Sequence, residues 1–196
     1  MSAGRPAVVL DRDGTINREV DYLADPQDFE LIPGSAEAIA ALSAAGFAIA
    51  VATNQSGIAR GMLDEQRLDA IHARMRAELE NYGARIDALA YCPHHPTEGA
   101  PPYRVECDCR KPASGMVQRT LRELDADPSA SWVIGDSGRD LVAGTALGLR
   151  GILVATGKGE REHARLVSEG NAPEHYAANL AEAVTWLLQQ EEGAVR

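Results

Sequence analysis

The sequence predicts an α/β fold, a doubly wound parallel sheet of Rossmann-like type with helices on both faces. Three observations predict it. Five short runs, at 7–10, 47–52, 86–91, 132–134 and 151–155, are almost continuous in Val, Ile, Leu and Ala, the pattern of strands covered on both faces. Segments of helical period lie between them. The residues directly after the first four runs are acids, hydroxyls, amides and bases, at the strand ends where such sheets gather ligands.

Taken in order, the first strand ends where VVL breaks into Asp11-Arg12-Asp13-Gly14-Thr15. Ser35 is suited to cap a helix through Ala45, with Gly46 beyond its end. The second strand runs into Thr53 and Asn54. Asp64 is suited to cap a longer helix, on which Leu68, Ile71, Met75 and Leu79 form one apolar stripe. The third strand leads into a Cys/His-containing loop that closes on Arg110 and Lys111. Pro112 fits near the first position of a helix that reaches about Leu124. The fourth strand leads into GDSGRD, with a helix from near Asp140 to Gly148. Toward the C-terminus, Leu180, Val184, Leu187 and Leu188 recur at helical spacing. The six-residue stretch ATGKGE at 155–160 lacks the spacing of a phosphate-binding P-loop and reads as a turn. No large insertion separates these elements. One domain over 1–196, with the loop at 92–109 after the third strand and no separate cap domain, is therefore expected.

The chain has 196 residues and a formal charge of −10, which argues against a nucleic-acid or anionic-membrane footprint. Its apolar stretches fall short of the roughly 18 residues that a membrane span needs, and no apolar leader precedes the first strand. A cytoplasmic monomer acting on a small substrate is expected. The cysteines, Cys92, Cys107 and Cys109, are odd in number and clustered, which points to a metal before disulfides. His72, His163 and His175 have no partner legible in the sequence and are expected at the surface.

The strand ends suggest one chemistry. Asp11 and Asp13 follow the first strand, Thr53 and Asn54 the second, Arg110 and Lys111 the third, and Asp136 and Asp140 the fourth. Paired acids with a hydroxyl and a lysine suit phosphoryl transfer, which needs an in-line nucleophile, cations on the equatorial oxygens and often Mg²⁺. A divalent cation beside Asp11 would keep it ionised to attack, leaving Asp13 to carry a proton as acid and then base. In the third loop, Cys92-x-His94 is separated from Cys107-x-Cys109 by twelve residues, a set that suits a closed, structural Zn²⁺ site. His95 competes with His94; the tight Cys-x-His pair favours His94.

DRDGT, the Thr after strand two, the Lys before helix three and GDSGRD, in that order, resemble the four motifs of the haloacid dehalogenase superfamily. The resemblance implies a nucleophilic Asp11 that becomes an aspartyl phosphate. Asp13 would be acid, then base, its backbone carbonyl also on Mg²⁺. Thr53 and Lys111 would stabilise the transferring phosphoryl group, and Asp136 would complete the Mg²⁺ site. Asp140 would orient Lys111 or the metal's waters, or serve only as an ordinary helix N-terminal acid.

DRDGTIN, TNQSGIARG, CPHHP and CDCRKP resemble more specifically the bacterial D-glycero-D-manno-heptose 1,7-bisphosphate 7-phosphatases, whose product feeds lipopolysaccharide-precursor synthesis. This implies a substrate-facing flap of Glu19, Val20, Asp21 and Tyr22, further substrate contacts from Asn54, Gln55, Ser56 and Ser137, and recognition of the sugar or its second phosphate by Arg110. One position departs from the pattern: Ser137 stands where that family often has Lys, and Arg139 could replace the missing cation. Histidinol-phosphate phosphatases share similar motifs, with a usually shorter zinc loop, and remain the rival enzyme. A zinc-stabilised phosphosugar-binding module without turnover is the non-catalytic alternative. The α or β anomer is left open.

Overall fold

In the computed structural model, which describes residues 4–194, strands and helices alternate. The elements are β1 (Ala7–Leu10), α1 (Ser35–Ala44), β2 (Ala48–Asn54), α2 (Glu65–Glu80), β3 (Ala88–Cys92), α3 (Gly115–Glu123), β4 (Trp132–Gly135), α4 (Gly138–Thr145), β5 (Arg150–Val154), α5 (Gly159–Ser168), β6 (His175–Ala177) and α6 (Leu180–Ala194). All six strands are parallel, in the order β3-β2-β1-β4-β5-β6. The winding reverses between β1 and β4, which opens a crevice beyond their carboxyl ends. The Asp11 amide donates to the Ile134 carbonyl at 2.9 Å, so the first acidic motif is pinned to the crossing point.

Alternation along the strands divides the core in two. Val8, Leu10, Ile49, Val51, Trp132 and Ile134 pack against Ile39 and Leu42 of α1, Ile71, Met75 and Leu79 of α2, and Leu180, Val184 and Leu187 of α6. Ala7, Val9, Ala48, Ala50, Ala52, Ala88 and Ala90 face Met116, Val117 and Leu121 of α3, with Leu141 of α4 and Leu166 of α5 beyond. Alanines on this face leave room for the larger side chains of α3. Full burial of an Ile, Leu or Met side chain contributes about 1.5–3 kcal/mol, which makes these stripes the main support of the helices.

Several boundaries differ from the sequence reading for local reasons. β2 continues through Thr53 and Asn54 because they pair with Tyr91 and Cys92 of β3. The Asp87 carboxylate accepts the Ile49 amide at 2.8 Å, so the β3 ladder begins after it rather than at Ile86. Asp64 caps α2 by accepting the Arg67 amide at 2.7 Å, but Ser35 does not cap α1. Gly34, at φ 83, is the cap residue, and the Ser35 hydroxyl donates to the Ile16 carbonyl at 2.9 Å, tying α1 to the loop after β1. α3 opens at Gly115, three residues beyond Pro112, and α4 opens at Gly138, ahead of Asp140. α5 and β6 are additions. Leu166 is the one large apolar side chain α5 buries, and β6 has three residues, so neither leaves a readable pattern.

The surface placement expected for His72 is incorrect, while His163 and His175 are half-buried and have ring partners. His163 stacks on Tyr176 at 3.8 Å between ring centroids and His175 stacks on Trp186 at 4.0 Å. His72 is buried at 6% exposure on the inner face of α2. Burial, reinforced by the Arg12 guanidinium, pushes its pKa down to about 3. Between the ordinary value of 6.5 and about 3, the unfolded chain takes up a proton that the folded chain refuses, so stability falls as pH falls below 6.5. A shift of this size corresponds to about 2 kcal/mol lost between pH 7 and pH 5. His72→Gln is expected to flatten that slope, whatever its effect at pH 7, in denaturant unfolding at the two pH values. An unchanged slope would assign the acid sensitivity elsewhere.

Candidate active site

Lys111 is the hub of the crevice. Its ammonium lies 2.7 Å from Asp11 Oδ1, 2.7 Å from Asp140 Oδ1 and 2.7 Å from the Ala52 carbonyl, so all three of its hydrogens have acceptors. The backbone at Lys111 is held by Asn54, whose side-chain Oδ1 accepts its N–H at 3.1 Å and whose Nδ2 donates to its carbonyl at 3.1 Å. The Asn54 amide group is thus engaged with Lys111 rather than free for a ligand. Asp140 serves both of the roles open to it in the sequence. One oxygen meets Lys111, and the other accepts the Ser137 amide at 3.0 Å at the start of α4.

Burial pushes the Asp11 carboxyl up to about 7, with Lys111 opposing the shift and Asp140 adding to it. Asp136 is pushed further, to about 8, by burial and by the charges of Asp11 and Asp140. Oxygens of Asp11, Asp136 and Asp140 all lie within 4.8 Å of one another. Two backbone positions make room for Asp136. Gly14 (φ 83) and Gly157 (φ 61) approach so closely that a Cβ at either would sit 2.3 Å or 2.2 Å from Asp136 Oδ2. The Lys158 amide donates to the same oxygen at 2.8 Å.

Asp13 has a different environment. Arg12, fully buried, grips both of its oxygens, the shortest contact being 2.7 Å; Asn17 Nδ2 donates at 3.0 Å and Gln55 Nε2 at 2.8 Å. Burial opposes ionisation, but Arg12, Asn17 and Gln55 together hold the Asp13 carboxyl below its usual range. Its carboxylate stands outside the Asp11–Asp136–Asp140 trio. In this arrangement Asp13 is held as a carboxylate. Gln55 also donates to Thr53 Oγ1 at 2.8 Å, linking the hydroxyl after β2 to the second acid after β1.

These residues surround a cleft of about 320 Å³. Glu19, Val20, Asp21 and Tyr22 form one wall, and Ser56, Arg110, Ser137 and Arg139 complete the rim with Lys158. Every residue expected from the sequence to bind substrate therefore lines one cavity. Ser137 is buried, and its hydroxyl is within 3.3 Å of both Glu162 Oε2 and Arg139 Nε. Lys158 was missed, although the rule that located the others reaches it. It follows the carboxyl end of β5, inside the stretch that reads as a turn.

At the end of β3, Cys92, His94, Cys107 and Cys109 bring their ligand atoms within 4.8 Å of one another. Cys109 Sγ is 3.2 Å from Cys92 Sγ, 3.1 Å from Cys107 Sγ and 3.3 Å from His94 Nδ1. Burial pushes the Cys92 and Cys109 thiols up, and at Cys109 the two neighbouring sulfurs push further. Three thiols and an imidazole at this spacing could hold a metal ion. His95 lies apart: its Nδ1 accepts the Glu98 amide at 3.0 Å and its Nε2 meets Arg60 at 3.3 Å. Arg110 donates to the His94 carbonyl at 3.1 Å, which couples the cluster to the cleft.

A parallel sheet with an aspartate pair after β1, a hydroxyl after β2, a buried lysine and a further acid after β4 defines a hydrolase site of the haloacid dehalogenase type. A HAD-hydrolase-like family model matches residues 108–183. The chain is 46% identical over 155 residues to the D-glycero-beta-D-manno-heptose-1,7-bisphosphate 7-phosphatase of Pseudomonas putida, a match covering 79% of this chain and 85% of that protein. The enzyme of the same name from Bordetella bronchiseptica is 38% identical over 93% of this chain and 98% of its own. A crystal structure of the D,D-heptose 1,7-bisphosphate phosphatase from B. bronchiseptica complexed with magnesium and phosphate matches with a TM-score of 0.82, covering 94% of this chain and 99% of that one. The chain belongs to the D-glycero-beta-D-manno-heptose-1,7-bisphosphate 7-phosphatase family of HAD-like hydrolases. Among its described residues, no helix is long and apolar enough to cross a membrane.

Proposed function

We propose that this protein hydrolyses the 7-phosphate of D-glycero-β-D-manno-heptose 1,7-bisphosphate, giving the heptose 1-phosphate and inorganic phosphate. The observation that carries the reading is the pairing of Asp11 with Lys111 at 2.7 Å on the floor of the cleft, in a chain 46% identical to an enzyme of that name. Asp11 attacks phosphorus. The bond to the sugar oxygen breaks, and that oxygen takes the proton that Asp13, a carboxylate at rest, acquires when the negatively charged phosphoryl group enters beside it. Asp13, now ionised and gripped by Arg12, Asn17 and Gln55, then removes a proton from water. The water oxygen attacks phosphorus and returns Asp11 as a carboxylate. Thr53 holds a phosphoryl oxygen, and Lys111 turns to the group the hydrogen that Asp11 accepts before attack.

Asp11 and Asp136, with the Asp13 carbonyl, would hold Mg²⁺. The three crowded carboxylates, two of them pushed up to about 7 and about 8, fit a divalent cation. When bound, Mg²⁺ supplies positive charge that keeps the carboxylates ionised and offsets the charge of the phosphoryl group. Cys92, His94, Cys107 and Cys109 would hold Zn²⁺. Four protein ligands leave no open position, so that metal is structural. The β anomer follows the name of the relatives. Phosphate release from the two heptose bisphosphate anomers and from histidinol phosphate tests the reading. The β-heptose bisphosphate is expected to have the highest kcat/KM; preference for histidinol phosphate would overturn the assignment.

A further inference from the structure

We propose that Lys158 is a specificity-determining residue that binds the substrate phosphate that is not cleaved. The inference rests on the bisphosphate reading above. The turn carrying Lys158 is anchored closely. Its amide is held by Asp136 Oδ2 at 2.8 Å, and Cβ atoms at Gly157 and Gly159 would lie 2.2 Å from Asp136 Oδ2 and 1.7 Å from the Val154 carbonyl. The main chain cannot shift there without disturbing Asp136. The side chain is free by comparison, 44% exposed, and reaches along the cleft wall to Glu19 Oε1 on the flap at 3.0 Å. A fixed base with an ammonium at the end of a four-carbon stem suits recognition of a point of negative charge.

The other cations of the cleft also have partners within the protein, and among them Lys111 is the fully engaged one. Lys111 has all three hydrogens engaged at the floor, Arg110 donates to the His94 carbonyl, and Arg139 donates to Ser137. Position 137, beside Asp136, offers a hydroxyl and no charge. On this wall a second phosphate meets Lys158, whose partner is a single carboxylate. A phosphate carries more negative charge than Glu19 and offers three acceptor oxygens, so it can displace that carboxylate. A monophosphate has nothing to place there.

The test compares kcat/KM for the heptose 1,7-bisphosphate with that for a heptose 7-phosphate lacking the second group, in the wild type, Lys158→Met and Lys158→Arg. Methionine keeps the backbone amide on Asp136 and removes only the charge. Lys158→Met is expected to reduce the preference for the bisphosphate by about tenfold to a hundredfold, through KM, as loss of one charge-assisted contact predicts. Lys158→Arg is expected to restore much of it. If Lys158→Met leaves the preference intact, whether or not both rates fall together, Lys158 serves only to hold its turn and the inference is overturned. If the wild type shows no preference for the bisphosphate, the functional reading itself fails, and the role of Lys158 with it.

Discussion

Asp11→Asn is expected to reduce phosphate release by about 10⁴-fold or more, the scale on which enzymes lose a covalent nucleophile. The amide has the shape of the carboxylate but cannot form the acyl phosphate. The fold should tolerate the change. Lys111 keeps Asp140 and the Ala52 carbonyl as acceptors, and a buried carboxyl whose ionisation is opposed, with its pKa pushed up to about 7, is replaced by a neutral group. The melting temperature is accordingly expected to hold or rise. Phosphate release and thermal unfolding measured on one preparation decide the matter. Substantial turnover by a folded Asp11→Asn protein would remove Asp11 from the chemistry.

Loss of the cysteine-cluster metal is expected to have the second largest effect. Zinc contributes about 10–16 kcal/mol when it folds short peptides, an amount comparable with the whole stability of many domains. Here it would act on one loop, rich in Pro and Gly and held otherwise by a few contacts such as the His95–Arg104 bridge. Cys109 directly precedes Arg110 and Lys111, so disorder in the loop carries straight to the cleft. A misplacement of about 1 Å can lower a rate about 10²-fold. Cys109→Ser is expected to lose zinc, melt at lower temperature and fall by about that factor in kcat/KM. Metal analysis of purified wild type should find one zinc per chain. Active protein without zinc would show that the thiols alone organise the loop.

Much of the site was legible because strand ends are legible. Val8 to Leu10, Trp132 to Ile134 and their like announce buried parallel strands, and a parallel sheet directs whatever follows each strand toward one edge. Asp11, Thr53, Lys111 and Asp136 could therefore be grouped before any coordinates. The spacing of Cys92, His94, Cys107 and Cys109 carried the metal cluster in the same way. Lys158 escaped because glycines on both sides made its stretch resemble a plain turn. His72 escaped because a single imidazole has no periodicity: it lies on the face of α2 that carries Ile71 and Met75, and only packing shows that it is enclosed.

The order of β1 to β5, of α1 to α4 and of the C-terminal helix, the acids and bases after the first four strands and the spacing of the Cys/His cluster came from sequence alone, since each is a matter of local pattern. Tertiary structure decided which oxygen meets which donor. It set Asp140 against both Lys111 and Ser137, engaged Asn54 with the Lys111 backbone, enclosed Asp13 between Arg12, Asn17 and Gln55, and brought Lys158 to Glu19. The pairs of Asp140 and Asn54 with Lys111, of Asp13 with Gln55 and of Lys158 with Glu19 join residues from separate loops, and charge state depends on burial and on neighbours that no local stretch of chain contains.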